Sequence, residues 1–66
     1  MAMTKQEAMS MVVAGAPRSY NSWVIEQPGG NFYVSDKARN DVGELAIGVV
    51  RKGTTMYEAV LPKAWR

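Results

Sequence analysis

The sequence predicts an α+β fold, with an N-terminal helix packed on a four-stranded antiparallel sheet made of two successive β-hairpins. One segment near the N-terminus repeats apolar residues at helical spacing, and segments 22–35 and 45–61 have the features of strand pairs around glycine-containing turns. The 66 residues have room for one small domain, 1–66, in which residues 1–3 and 63–66 are expected to form flexible tails.

The helix is predicted to begin after Thr4, because Thr4 and Glu7 have the spacing of a capping box, in which each side chain binds the other residue's backbone N–H. Gly15 is expected to adopt the left-handed conformation of a helix cap, and Pro17 prevents continuation. The predicted helix runs from about Lys5 to Ala14, roughly three turns, and is too short to be stable alone, so it must dock on the sheet. Its apolar stripe is expected to be wide and to comprise Ala8, Met9, Met11, Val12, Val13 and Gly15.

The first hairpin is predicted around Pro28-Gly29. Proline fixes φ at the first central position of a type II turn, and glycine accepts the positive φ required at the second. A loop with an even number of residues, either Pro28-Gly29 alone or residues 27–30, places Ile25 opposite Phe32. The inner face of this hairpin is then wholly apolar and comprises Trp23, Ile25, Phe32 and Val34.

The second hairpin is predicted around residues 51–53, whose final glycine suits a three-residue turn with a G1 bulge. This register pairs Val50 with Thr54. The expected inner face comprises Leu45, Ile47, Val49, Tyr57, Ala59 and Leu61. The expected outer face has only one charged residue, which is unusual for an exposed strand pair, and comprises Ala46, Gly48, Val50, Met56, Glu58 and Val60.

The segment between the hairpins, residues 36–43, is polar and is expected to form a loop with a single helical turn that ends near Gly43. The four strands are expected to follow one another as a meander. The pattern leaves the pairing between the two hairpins open.

Composition excludes most catalytic and metal chemistry. The chain has no cysteine and no histidine, so it lacks thiolate ligands and the commonest general base, and we expect no cofactor and no metal. A carboxylate pair such as Glu44 and Glu58 on one sheet face is a minor enzymatic alternative. The short apolar run near the N-terminus is far below a membrane span of about 20 residues, so a cytosolic protein without membrane contact is expected.

Protein binding is the function that the sequence favours. The apolar outer face of the second hairpin and a C-terminal tryptophan suit a contact surface for another protein or for a homodimer. The residues expected to bind are Ala46, Val50, Met56, Glu58, Val60 and Trp65. An intramolecular cover over the same face is an equally weighted alternative. A small adaptor or inhibitor fits this hypothesis, as in accessory proteins of phages and mobile elements, although that link is one of association.

Single-stranded nucleic acid binding is the alternative function. Aromatic side chains on a sheet beside basic turns can stack on bases and contact phosphates. The candidate residues are Tyr20, Tyr33, Arg51, Lys52, Lys63 and Arg66. A net charge of only +2 weighs against this alternative.

Overall fold

The computed structural model describes residues 3–40 and 43–60. These contain α1 (Lys5–Ala14), β1 (Ser22–Gln27), β2 (Asn31–Ser35), β3 (Leu45–Val50) and β4 (Tyr57–Ala59). The strands form one antiparallel sheet in the order β2-β1-β3-β4, and the predicted α+β fold class is confirmed. The predictions for four C-terminal positions fall outside the described residues: Leu61, Lys63, Trp65 and Arg66.

Helix α1 begins where the sequence predicts. The Thr4 hydroxyl accepts from the Glu7 backbone N–H at 3.1 Å, and the Glu7 carboxylate accepts from the Thr4 N–H at 2.9 Å. This reciprocal pair satisfies two N–H groups that a helix end leaves unbonded.

The end of α1 differs from the prediction. Gly15 has φ of −92° and ψ of 0°, so it is not in the left-handed region. Instead, the Arg18 guanidinium donates to the carbonyls of Val12 at 2.7 Å and Met11 at 3.0 Å, which caps the last turn. A Cβ added at Gly15 would overlap this guanidinium. Glycine at this position leaves room for the Arg18 cap, and it does not serve a positive φ.

The buried stripe of α1 is narrower than the sequence suggested. Ala8 and Val12 are fully buried, whereas the side chains of Met11 and Val13 remain 49% and 42% exposed. Ala8 and Val12 pack with residues of the sheet, and partly buried side chains surround this cluster. The cluster and its surrounding side chains comprise Ala8, Val12, Val24 and Val50 with Met3, Ala16, Phe32, Val34, Ile47 and Tyr57.

The predicted register of the first hairpin was wrong by one residue. The turn contains three residues, 28–30, and both Gly29 and Gly30 have positive φ. Val24 consequently lies opposite Val34, and Glu26 lies opposite Phe32. A turn with two consecutive positive φ values requires the two glycines that follow proline.

The shift in register moves Trp23 and Ile25 to the face of the sheet opposite α1. Ile25 is nevertheless fully buried, as are Val49 and almost all of Ala46 on the same face. The prediction of one apolar and one solvated face is therefore wrong for β1, because Val24 and Ile25 are both fully buried although they lie on opposite faces.

The strand order also corrects the expected meander. Strand β1 pairs with both β2 and β3, so the connection from β2 to β3 must cross β1. Its described residues 36–40 contain no helical turn. The Ala46 N–H donates to the Arg39 carbonyl at 2.9 Å, with the Asn40 side-chain oxygen at 3.3 Å. These bonds attach the connection to the first residues of β3.

The register of the second hairpin also differs from the prediction, because its loop is longer. Val50 pairs with Tyr57 and not with Thr54, because residues 51–56 form the loop and β4 has only three residues. In the pairing with β1, Val24 faces Gly48 and Ile25 faces Ala46, which leaves Ile47 as a bulge. Val50 therefore joins the cluster under α1, and Ile47 packs against it.

We predict that Val12→Ala lowers the free energy of unfolding by about 1–3 kcal/mol, because it removes two buried methyl groups and leaves a cavity. The matched substitution Val13→Ala, on the exposed side of the same helix, should change it by less than about 0.5 kcal/mol. Urea denaturation followed by circular dichroism measures both values. Equal losses would contradict the assignment of the buried stripe.

Candidate binding surface on strand β4

The structure separates the residues that the sequence grouped as a protein-binding face. Ala46 and Val50 are each only 2% exposed, so their predicted place on an exposed surface is corrected. The reason is the register: Val50 faces α1, and Ala46 pairs with Ile25 of the central strand. Met56 is 74% exposed, Glu58 is exposed and Val60 is partly buried. Trp65 lies outside the described residues.

A shallow cavity lies beside β4 and is lined by Arg51, Thr54, Met56 and Glu58. We call these four residues together with Val60 the β4 surface. Met56, Glu58 and Val60 alternate with Tyr57 and Ala59 along the chain, which is the spacing of one strand face. The β4 surface therefore combines an exposed methionine, an ion pair and a half-buried valine.

The loop before β4 is held by local hydrogen bonds. The Arg51 carbonyl accepts from the Thr54 N–H at 3.0 Å and from the Thr54 hydroxyl at 2.9 Å. Gly53 has φ of +74°, which a side chain would strain. The Arg51 Nε donates to the Glu58 carboxylate at 2.7 Å, and both side chains are about half exposed. In this position the ion pair orients Arg51 but adds little stability.

The outer edge of β4 is bonded to no other strand among the described residues. The Val60 N–H donates to the Ile47 carbonyl at 2.8 Å, so Val60 points toward β3. Since successive residues of a strand point their backbone groups to opposite sides, Glu58 also points toward β3, while Tyr57 and Ala59 point away from it. Ala59 is exposed.

The opposite edge of the sheet has a partner. The Phe32 N–H of β2 donates to the Met3 carbonyl at 3.1 Å, and the two residues form an isolated antiparallel bridge. Met3, which the sequence placed in a flexible tail, thus covers part of this edge. Within the described residues, the two edges of the sheet differ in this respect.

Tyr57 fixes β4 against the helix side of the sheet. Its ring lies across Gly48, so closely that an added Cβ at Gly48 would overlap the phenol. Burial raises the pKa of the Tyr57 hydroxyl above its usual value. Gly48 in β3 therefore leaves room for the Tyr57 ring, and this contact holds β4 against the sheet. The sequence did not indicate this role for Gly48.

The nucleic-acid candidates are only partly brought together. The Gly53 N–H donates to the Arg18 carbonyl at 3.0 Å, and the Lys52 N–H donates to the Asn21 side chain at 2.7 Å. These bonds place the segment that carries the half-exposed Tyr20 beside the turn that carries Lys52. Arg51, in the same turn, is paired with Glu58.

Tyr33, the other aromatic candidate, has a structural role. Its hydroxyl donates to the Glu44 carboxylate at 3.0 Å, and Gln27 donates to the other oxygen of Glu44 at 3.2 Å. The three side chains join the residue before β3 to the first hairpin. Lys63 and Arg66 lie outside the described residues.

The minor carboxylate pair of Glu44 and Glu58 does not form. Glu44 precedes β3 and is bound by Tyr33, whereas Glu58 lies opposite Val49 near the other end of β3. In ranges 3–40 and 43–60, no group of acidic side chains is arranged to hold a metal ion. Over the same ranges, no helix has the length and apolar content of a membrane span.

The outer side of α1 is a surface that the sequence reasoning missed. Its exposed face forms an open apolar depression, lined by Gln6, Met9, Ser10, Val13 and Ala14. The sequence signal was the spread of apolar residues around α1, which was interpreted as a wide buried stripe.

Comparisons with known proteins give no relative. No family model, no curated protein and no solved structure matches the chain. The function must therefore be inferred from the surfaces of the described residues alone.

We predict that Gly48→Ala destabilises the protein by about 1–3 kcal/mol, because the added methyl group displaces the Tyr57 ring. In a Tyr57→Ala background the same change should cost markedly less, since the space is then free. A double-mutant cycle measured by urea denaturation tests this coupling. Additive effects would show that the contact between Gly48 and Tyr57 does not hold β4.

Proposed function

We propose that this chain is a small cytosolic protein-binding module, an adaptor or inhibitor, that contacts its partner through the β4 surface. The observation that carries the proposal is the side chain of Met56, which is 74% exposed beside a shallow cavity. Methionine adapts its shape to irregular apolar surfaces, and its full burial contributes about 1.5–3 kcal/mol.

The neighbouring charges support the same role. Arg51 and Glu58 are held together at 2.7 Å on the surface, so the guanidinium is already oriented before a partner binds. Arginine is enriched at the energetic centres of protein interfaces, and an oriented side chain loses less entropy on binding. A half-buried Val60 extends the apolar area.

The size of the chain allows such an interface. A standard interface buries about 800 Å² on each partner. The chain exposes 4551 Å², so roughly a sixth of its surface would be covered. A second copy of the chain is one partner that this area accommodates, and a homodimer is part of the proposal.

We predict that Met56→Lys removes a stoichiometric partner from an affinity purification out of the native host lysate, or abolishes self-association in sedimentation velocity. Burying the ammonium group in such an interface would remove its water, which costs free energy even with the Glu58 carboxylate nearby. The matched control is Met11→Lys, at a methionine that is 49% exposed on α1. Both variants should retain the circular dichroism spectrum of the parent chain.

The proposal fails if both lysine variants retain the partner, or if neither the parent chain nor the control captures a partner or associates with itself. Loss of binding in Met11→Lys alone would assign the contact to the exposed face of α1.

Single-stranded nucleic acid binding is the second candidate, and one contact favours it. The hydrogen bonds from Gly53 to Arg18 and from Lys52 to Asn21 hold Tyr20 and Lys52 at the same edge. Within the described residues, the Lys52 ammonium has no ion pair. A stacking aromatic beside a free cation suits a base and its phosphate.

For this second candidate we expect the affinity for a labelled oligothymidylate to fall steeply with salt. Lys52→Ala should reduce the slope of log affinity against log salt by about 0.7, and Tyr20→Ala should weaken binding by about 1–3 kcal/mol. Lys5→Ala, an exposed cation on α1, is the control and should change neither. Fluorescence anisotropy measures both quantities, and binding that does not respond to salt ends this hypothesis.

A further inference from the structure

We infer that the partner binds as an extended strand that adds to the free edge of β4. This inference depends on the proposed protein-binding function and specifies its mode. The edge presents the backbone N–H and C=O groups of Tyr57 and Ala59, which point away from β3. Outward-facing groups of this kind pair with an extended peptide and with few other partners.

The spacing along β4 defines the side chains of that peptide. In an antiparallel pair, the residues opposite Met56, Glu58 and Val60 lie on the same face as these three side chains. Apolar residues suit the outer two positions. The central position faces a carboxylate of which one oxygen is bound by Arg51, while the other has no hydrogen-bond partner among the described residues.

Charge complementarity therefore selects a basic residue at the centre of the peptide. The expected pattern is apolar, any residue, lysine or arginine, any residue, apolar. A carboxylate has room for a second donor, so the peptide cation binds without displacing Arg51. A peptide with glutamate at the centre would place like charges directly opposite each other.

The same argument disfavours a second copy of the chain at this edge. A twofold axis at Glu58 is the register that pairs all three residues of β4 with β4 of the second copy, and it places the two Glu58 carboxylates directly opposite each other. An axis at Tyr57 or Ala59 avoids this repulsion but pairs only one residue of β4 with β4 of the copy. With only three residues in β4, few backbone hydrogen bonds offset that repulsion. The occupant is therefore an extended segment of another protein.

The test uses Ala59→Pro, which removes the outward N–H and leaves the hydrogen bonds to β3 in place. Ala59→Val is the matched control, since it enlarges the side chain and retains the N–H. The probes are two fluorescein-labelled peptides, Thr-Val-Thr-Lys-Thr-Val-Thr and the same peptide with Glu in place of Lys. Anisotropy measures affinity, and an amide NMR spectrum of each variant verifies its fold.

The parent chain and Ala59→Val should bind the lysine peptide at least tenfold more tightly than the glutamate peptide. Ala59→Pro should lose at least tenfold in affinity. In the parent chain, hydrogen exchange at the Ala59 amide should slow when the lysine peptide is added. The exchange measurement needs no variant, so it tests the inference even if Ala59→Pro fails to fold.

Three results would overturn the inference. If Ala59→Pro captures the partner while Met56→Lys loses it, the proposed function stands and strand addition is wrong. Slow exchange at Ala59 in the isolated monomer would mean that the edge is already occupied within the chain. Slow exchange that appears with rising protein concentration, without peptide, would identify a second copy as the occupant.

Discussion

The central position of β1 is the constraint on which the rest of the structure depends. Strand β1 pairs with β2 on one side and β3 on the other, and it has buried residues on both of its faces. Val24 packs under α1, while Ile25 is buried on the opposite face. A strand with both faces covered contributes apolar area to both sides of the sheet, which matters in a chain too short for a thick core and without disulfides. The docking of a ten-residue helix, which would be unstable alone, follows from the apolar area that β1 and β3 provide.

The order of the strands also decides which surfaces remain for binding. With β1 and β3 inside the sheet, only β2 and β4 have outer edges. Met3 bonds to the edge of β2, and the Gly48 contact with the Tyr57 ring holds β4 in place. Among the described residues the outer edge of β4 has no strand partner, and it lies beside Met56 and the ion pair of Arg51 and Glu58. Outward backbone groups and an exposed side-chain surface therefore occur together. Their proximity favours recognition of an extended segment over binding of a compact ligand.

Local sequence signals were sufficient where one short segment contains the whole interaction. The capping box of Thr4 and Glu7 lies within four residues, and the predicted helix bounds are those observed. The fold class was predictable for the same reason, because turn residues mark both hairpins. The helix end was not, since the cap comes from Arg18, a residue beyond the proline. Likewise, the sequence placed Ala46, Val50 and Met56 on one face and left its exposure open, whereas the structure buries Ala46 and Val50 and exposes Met56.

The sequence by itself determined the number, type and approximate limits of the helix and strands, and it placed Met56 and Glu58 on one face of the last strand. Only the tertiary structure decided the registers of both hairpins, the central place of β1 and the free edge of β4. The physical reason is that parity fixes a register only when one strand face is polar. In β1 and β3 apolar residues occur on both faces, so a shift by one residue costs little in the sequence pattern. Contacts between distant segments, such as α1 with Val24 and Tyr57 with Gly48, remove that ambiguity.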